Sequence, residues 1–232
     1  MKQNGIFDSK NKTKVETQKL VGMAMFTALA LVATLATKWA TIQFLTFDAK
    51  DAVITVAAYI YGPLPGIAMA IATSVIETIS FGGDTGWYGL LMNILSSVVF
   101  SFSASFIYKL KRDINGALIG LFSAVGLTVG VMMLANMFIT PLYFGLPVLD
   151  ASVMAMIPGL LFPFNLAKSL MNAALAMLLY KPVLVALSKS GLMGSRKVNF
   201  DFNRSSIAII VVGTLFLVGA LSIFLIYFKT QI

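Results

Sequence analysis

Cysteine and histidine are both missing from the chain. Their absence removes disulfides, thiolate chemistry, haem ligation and most zinc sites, and with them the usual proton shuttle near neutral pH. No G-x-x-x-x-G-K-[ST] stretch occurs, so no loop is built to cradle nucleotide phosphates. H-E-x-x-H and G-x-S-x-G are also lacking, and no pair of carboxylates stands out on one face. A hydrolytic intramembrane enzyme needs a nucleophile with a base, and the common bases are not there. The expectation is a protein that catalyses nothing, holds no metal and carries no cofactor. Charge is scarce as well, at 11% Asp, Glu, Lys and Arg, against about 25% in an ordinary soluble domain.

Hydrophobic residues make up 59% of the 232, and the mean hydropathy is +0.91. A soluble fold of this size could not hide so much apolar surface, whereas a lipid bilayer accepts it. The fold class expected is all-α, a polytopic membrane helical bundle. Apolar stretches predict spans near 20–38, 52–62, 64–81, 87–108, 116–141, 162–180 and 206–228. The second and third are separated by Gly62-Pro63-Leu64-Pro65-Gly66, where two prolines and two glycines break a helix. No cleavage signature closely follows the first apolar run, so it reads as a retained helix. Residues 1–19 then form a polar, basic tail, 20–187 the main membrane domain, 188–205 a polar linker, and 206–228 an appended membrane helix without interior charge.

Basic residues support seven crossings. Lys2, Lys10, Lys12, Lys14 and Lys19 precede the first span; Lys109, Lys111 and Arg112 follow the fourth; Lys181, Lys189, Arg196, Lys197 and Arg204 follow the sixth. With seven crossings these segments lie on one side, the cytoplasmic side by the positive-inside rule. The opposite loops carry Lys50 among Asp48, Asp51, Asp84 and Asp150. The net charge of +8 is thus explained by topology, with no need for nucleic acid.

Polar groups inside apolar runs are the candidate site. Lys168 begins the sixth span within Phe162-Pro163-Phe164-Asn165-Leu166-Ala167-Lys168, where its ammonium must snorkel, pair or face a polar cavity. Asn165 shares its helix face at a spacing of three, and Asn172 extends the stripe by four. Asn136, near the outer end of the fifth span, and Asn93, on the fourth, are open to two readings: a bond between helices or a contact to a guest. Asp48 and Asp51 read as a solvated loop with a helix cap. Glu77 either lines a cavity or is wetted at the outer edge, and Gly82-Gly83-Asp84-Thr85-Gly86 reads as an outer turn. Small residues at Ala24 and Ala28, then Ala33 and Ala36, would admit a close helix neighbour. For Gly126 and Gly130 ordinary packing within the bundle is expected.

Gly62-Pro63-Leu64-Pro65-Gly66, Leu134-Ala135-Asn136-Met137 with Pro141-Leu142-Tyr143, and Leu161 through Lys168 resemble the substrate-binding (S) components of energy-coupling factor vitamin transporters, the riboflavin-type branch in particular. The resemblance covers roughly residues 20–187 and implies a six-helix core with a vitamin held near the extracellular face. Matching positions imply flavin contacts from Asn136, Asn165 and Lys168, with riboflavin or a related flavin as cargo. Ala24 and Ala28 match the pair that docks on a membrane coupling protein, itself joined to two ATPase subunits. Those partners would supply the missing nucleotide chemistry. The linker and final helix lie outside the usual six-helix pattern. S components for folate or pantothenate, and a membrane anchor binding no small molecule, are the competing readings.

Overall fold

The computed structural model describes residues 4–38, 41–81, 85–189 and 204–228. Seven helices of twelve or more residues carry the fold: α1 Asn4–Thr37, α2 Lys50–Tyr61, α3 Pro63–Phe81, α4 Gly86–Leu110, α5 Ile114–Tyr143, α7 Phe162–Lys189 and α8 Arg204–Phe228. A short α6, Ala151–Met156, precedes α7, and a two-stranded hairpin of β1 Thr41–Ile42 and β2 Leu45–Thr46 follows α1. Among the described residues, six helices are long and apolar enough to cross a membrane. The exception is α2. Twelve residues rise only about 18 Å, short of a hydrocarbon core of about 30 Å.

The short helix survives because protein surrounds it. Nine of its residues are buried, against α1, α3, α4 and α7. It ends where the prolines and glycines predict, at one residue: Gly62 takes φ +104°, which a side chain would resist, and Pro63 opens α3. Ala58 lies beside Gly66 and Lys50 meets Glu77, so α2 and α3 run antiparallel. The chain therefore reverses direction within the bundle at Gly62, while the second of the seven expected spans is too short to be one of the six.

Helix packing follows the small residues in part. A Cβ on Gly120 would collide with the Ala104 carbonyl, so glycine there lets α4 and α5 approach closely. Gly126 and Gly130 behave otherwise: among the described residues nothing approaches either, and both are exposed. The packing expected for them is not found. Ala24 and Ala28 are likewise exposed, while Phe26 and Ala30 on the opposite face of α1 pack into the bundle with Ile54 and Ala57. Helix also starts earlier than the apolar run, at Asn4, within the segment read as a tail.

A single helical run from Ala151 to Lys189 replaces the sixth span expected from residue 162. Asp150 caps its start, accepting from the Ser152 N–H at 2.9 Å. Between α6 and α7 the winding widens into a π turn at Ile157–Leu161, where the Phe162 N–H reaches back five residues to Ile157. Pro163 cannot donate and its ring crowds the carbonyl four residues back, and the wider turn accommodates it. α8 packs along α7, with Ile209 and Phe216 joining the largest core cluster. The residues 190–203 that form most of the linker, the outer turn at 82–84, and Trp39 lie outside the described residues.

Candidate substrate-binding site

A cavity of about 310 Å³ opens at one end of the bundle. Its wall is built from the C-terminal ends of α1, α3 and α5 and the N-terminal ends of α4 and α7, with the hairpin and Asp48 on one side. The two-residue turn of that hairpin puts Gln43 at φ +52°, and Gln43 and Phe44 line the cavity. Phe44 stands 6.1 Å from Tyr143, and Tyr143 6.4 Å from Tyr88, so aromatic rings wall one side. Lys109, Lys111, Arg112, Lys181 and Lys189 gather at the opposite end of the bundle.

All four residues singled out as ligand contacts line this space: Asn93, Asn136, Asn165 and Lys168. Asn165 and Lys168 are buried on α7, and the Asn165 amide donates to the Leu161 carbonyl at 2.8 Å. Asn136 donates to the Met132 carbonyl at 2.7 Å and accepts from Thr140 at 2.8 Å. Both Asn136 bonds stay within α5, so the amide does not tie helices together. Asn93 is half-buried on α4. Asn172, the last of the α7 stripe, is instead structural. Its Oδ1 accepts from the Ala52 N–H at 2.9 Å, and its Nδ2 donates to the Asp48 carbonyl at 2.9 Å. Ala49, at the N-cap of α2, offers no side-chain acceptor, so a residue 120 positions away caps the helix. Asn172→Ala is expected to cost about 1–3 kcal/mol, read as a lower unfolding midpoint in detergent.

The floor of the site is a charged cluster that the sequence reading placed in solvent. Asp48 and Asp51 are each only 2% exposed and Lys50 is fully buried, which overturns the solvated-loop expectation. Lys168 donates to Asp48 Oδ2 at 2.6 Å. Lys50 donates to Glu77 at 2.5 Å and stands 3.9 Å from Asp48. Asp51 accepts from the Ser97 hydroxyl at 2.5 Å. Glu77 thus lines the cavity, the first of its two readings. Burial by itself pushes the Asp48 carboxyl up. The ammonium groups of Lys168 and Lys50 outweigh that and hold it below the usual carboxylate range. The available signal was three charged residues abutting an apolar helix too short to reach water at both ends.

The arrangement suits small-molecule capture. A concave space of this size, with aromatic walls and a few fixed polar groups, is what a ligand pocket requires. Fold and site together define a polytopic membrane protein with a substrate-sized polar cavity at one end and no nucleotide-binding motif. More narrowly, the chain belongs to the ECF transporter, substrate-specific component family, whose profile matches residues 18–180. Among similar proteins is the riboflavin transporter RibU of Staphylococcus aureus (strain TCH60), 28% identical over an alignment of 178 residues, with coverage of 72% of this chain and 90% of that one. Another is the riboflavin transporter FmnP of Bacillus subtilis (strain 168), 27% identical over an alignment of 145 residues, with coverage of 60% of this chain and 76% of that one. A solved structure titled as the S component of a bacterial ECF transporter shares the fold, with a TM-score of 0.63 at 24% identity over 74% of this chain and 98% of that one. α8 lies beyond the family match.

Proposed function

We propose that this membrane component binds riboflavin or a related flavin in the cavity and carries it inward, performing no chemistry on it. A membrane coupling protein and two ATPase subunits supply the energy. The observation that carries the reading is convergence: Asn93, Asn136, Asn165 and Lys168, from three different helices, meet at one cavity. A flavin is a flat apolar tricycle with a pyrimidinedione edge, and amides match that edge as both donors and acceptors. Lys168 gives one hydrogen bond to Asp48, and an ammonium has three N–H groups to give. Asp48 Oδ1 is buried with no hydrogen-bond partner among the described residues. An N–H from a guest would recover the cost of that unpaired acceptor. The names of the two relatives point to the same cargo. By the positive-inside rule, the basic residues at the end opposite the cavity support a cytoplasmic position for that end and for the N-terminus, with the cavity facing outward.

The test is direct. Protein purified in detergent should be yellow, or should quench flavin fluorescence when riboflavin is added. A colourless preparation indifferent to riboflavin rules the flavin out, and binding of folate or pantothenate instead would reassign the cargo. The exposed pair Ala24 and Ala28 is the proposed docking stripe. Replacing both by leucine should abolish uptake into cells while leaving binding unchanged, and undiminished uptake would remove the stripe from docking.

A further inference from the structure

At the end of the bundle away from the substrate site lies a second cavity of about 410 Å³, lined by the turn between α2 and α3 and by the inner ends of α4 and α7. Four tyrosines line it, and three of them cluster. Tyr59 packs 4.5 Å from Tyr108 and 5.6 Å from Tyr180, and the Tyr108 and Tyr180 hydroxyls lie 2.6 Å apart. Tyr59 and Tyr108 are buried, although neither serves the substrate cavity. Lys109 and Arg112 line the same space, and among the described residues no carboxylate does. The neighbouring Lys111 is engaged by Asp113 at 3.7 Å; Lys109 and Arg112 form no ion pair among the described residues.

We propose that this cavity binds a phosphate ester, with Lys109 and Arg112 taking the anionic oxygens and the phenols the groups beside them. Phosphate is the anion that arginine and lysine recognise best together, one as a planar fork and the other as a point charge. Cations placed only to set topology need no cavity and no cluster of tyrosines beside them. Two sources share this chemistry, the headgroup of an anionic phospholipid and a soluble phosphate compound. The proposal does not depend on the cargo of the outer site.

The full-length protein, delipidated in a neutral detergent, would be tested by its unfolding midpoint at low ionic strength. Probes are phosphatidylglycerol, phosphatidylcholine with the same acyl chains, and inorganic phosphate. Stabilisation by phosphatidylglycerol well above that by phosphatidylcholine, reduced at least about fivefold in apparent affinity in K109Q/R112Q, identifies a lipid headgroup. An equivalent effect with inorganic phosphate identifies a soluble ester. Y108F, which keeps every charge, should also weaken the response, while K111Q should not. The idea is overturned if neither anionic probe stabilises the protein, or if K111Q loses as much as K109Q/R112Q. Normal elution of each variant on size exclusion establishes that it is folded.

Discussion

Lys168→Ala is expected to lower flavin affinity by about 30-fold or more, and Asn165→Ala by about 10-fold, in titrations followed by flavin fluorescence. Truncating one partner of a buried charged hydrogen bond typically costs about 2–5 kcal/mol, and 1.4 kcal/mol is about a factor of ten. A neutral amide contact is worth less. The lysine variant has a second consequence, because Asp48 then loses the partner at 2.6 Å and the fold weakens with the site. Lys168→Met combined with Asp48→Asn separates the two effects. It removes both charges, should regain stability, and should still fail to bind. Wild-type affinity in both single variants would place the ligand elsewhere.

The Asp48–Lys168 pair also predicts how the site responds to acid. The carboxyl is held below its ordinary value of 3.8. A depressed folded value stabilises the fold at any pH above the ordinary value, and that contribution is lost as pH falls through the depressed one. This pair therefore gives the protein no reason to weaken between pH 7 and about pH 5. A midpoint that dropped in that window would assign the sensitivity to another group.

Lys50→Met carries the largest expected cost to the fold. Lys50 is fully buried, bonded to Glu77 at 2.5 Å and 3.9 Å from Asp48. Removing the ammonium leaves the buried Glu77 carboxylate without its partner, while Asp48 keeps Lys168, and breaking one partner of a buried ion pair costs about 3–5 kcal/mol. In a protein of this size that lowers the unfolding midpoint on the order of 10 °C. Lys50→Met with Glu77→Met should recover most of the loss, since a buried pair replaced by apolar groups is often close to neutral. A double variant as unstable as the sum of the two singles would show that the residues do not act as a pair.

How the site was legible differs from residue to residue. Asn165 and Lys168 stand out because an amide and an amine at a spacing of three in an apolar run are costly in lipid wherever they point, and a cavity relieves the cost. Asp48, Lys50 and Asp51 did not stand out. A charged triplet before a helix has the same sequence signature whether it caps the helix in water or is buried under it. What decides is the neighbour, and the neighbours are Glu77, Ser97 and Lys168, up to 120 positions away. The same holds for Asn172: its place on the α7 stripe is local information, whereas its role as the cap of α2 depends on two helices meeting.

By itself the sequence determined that the chain enters a membrane, where it turns at Gly62, which end gathers the basic residues, and which α7 residues face inward. All of these follow from local rules: hydropathy, φ at glycine and proline, and helical periodicity. Only the tertiary structure decided that a twelve-residue helix can serve as the centre of the bundle, that its N-terminal charges are buried beneath the cavity, and that Gly126 and Gly130 face open space. Burial and pairing are properties of what packs against a residue, and in lipid, where apolar surface gains nothing by leaving the bilayer, polar partners and close backbone contacts choose the arrangement.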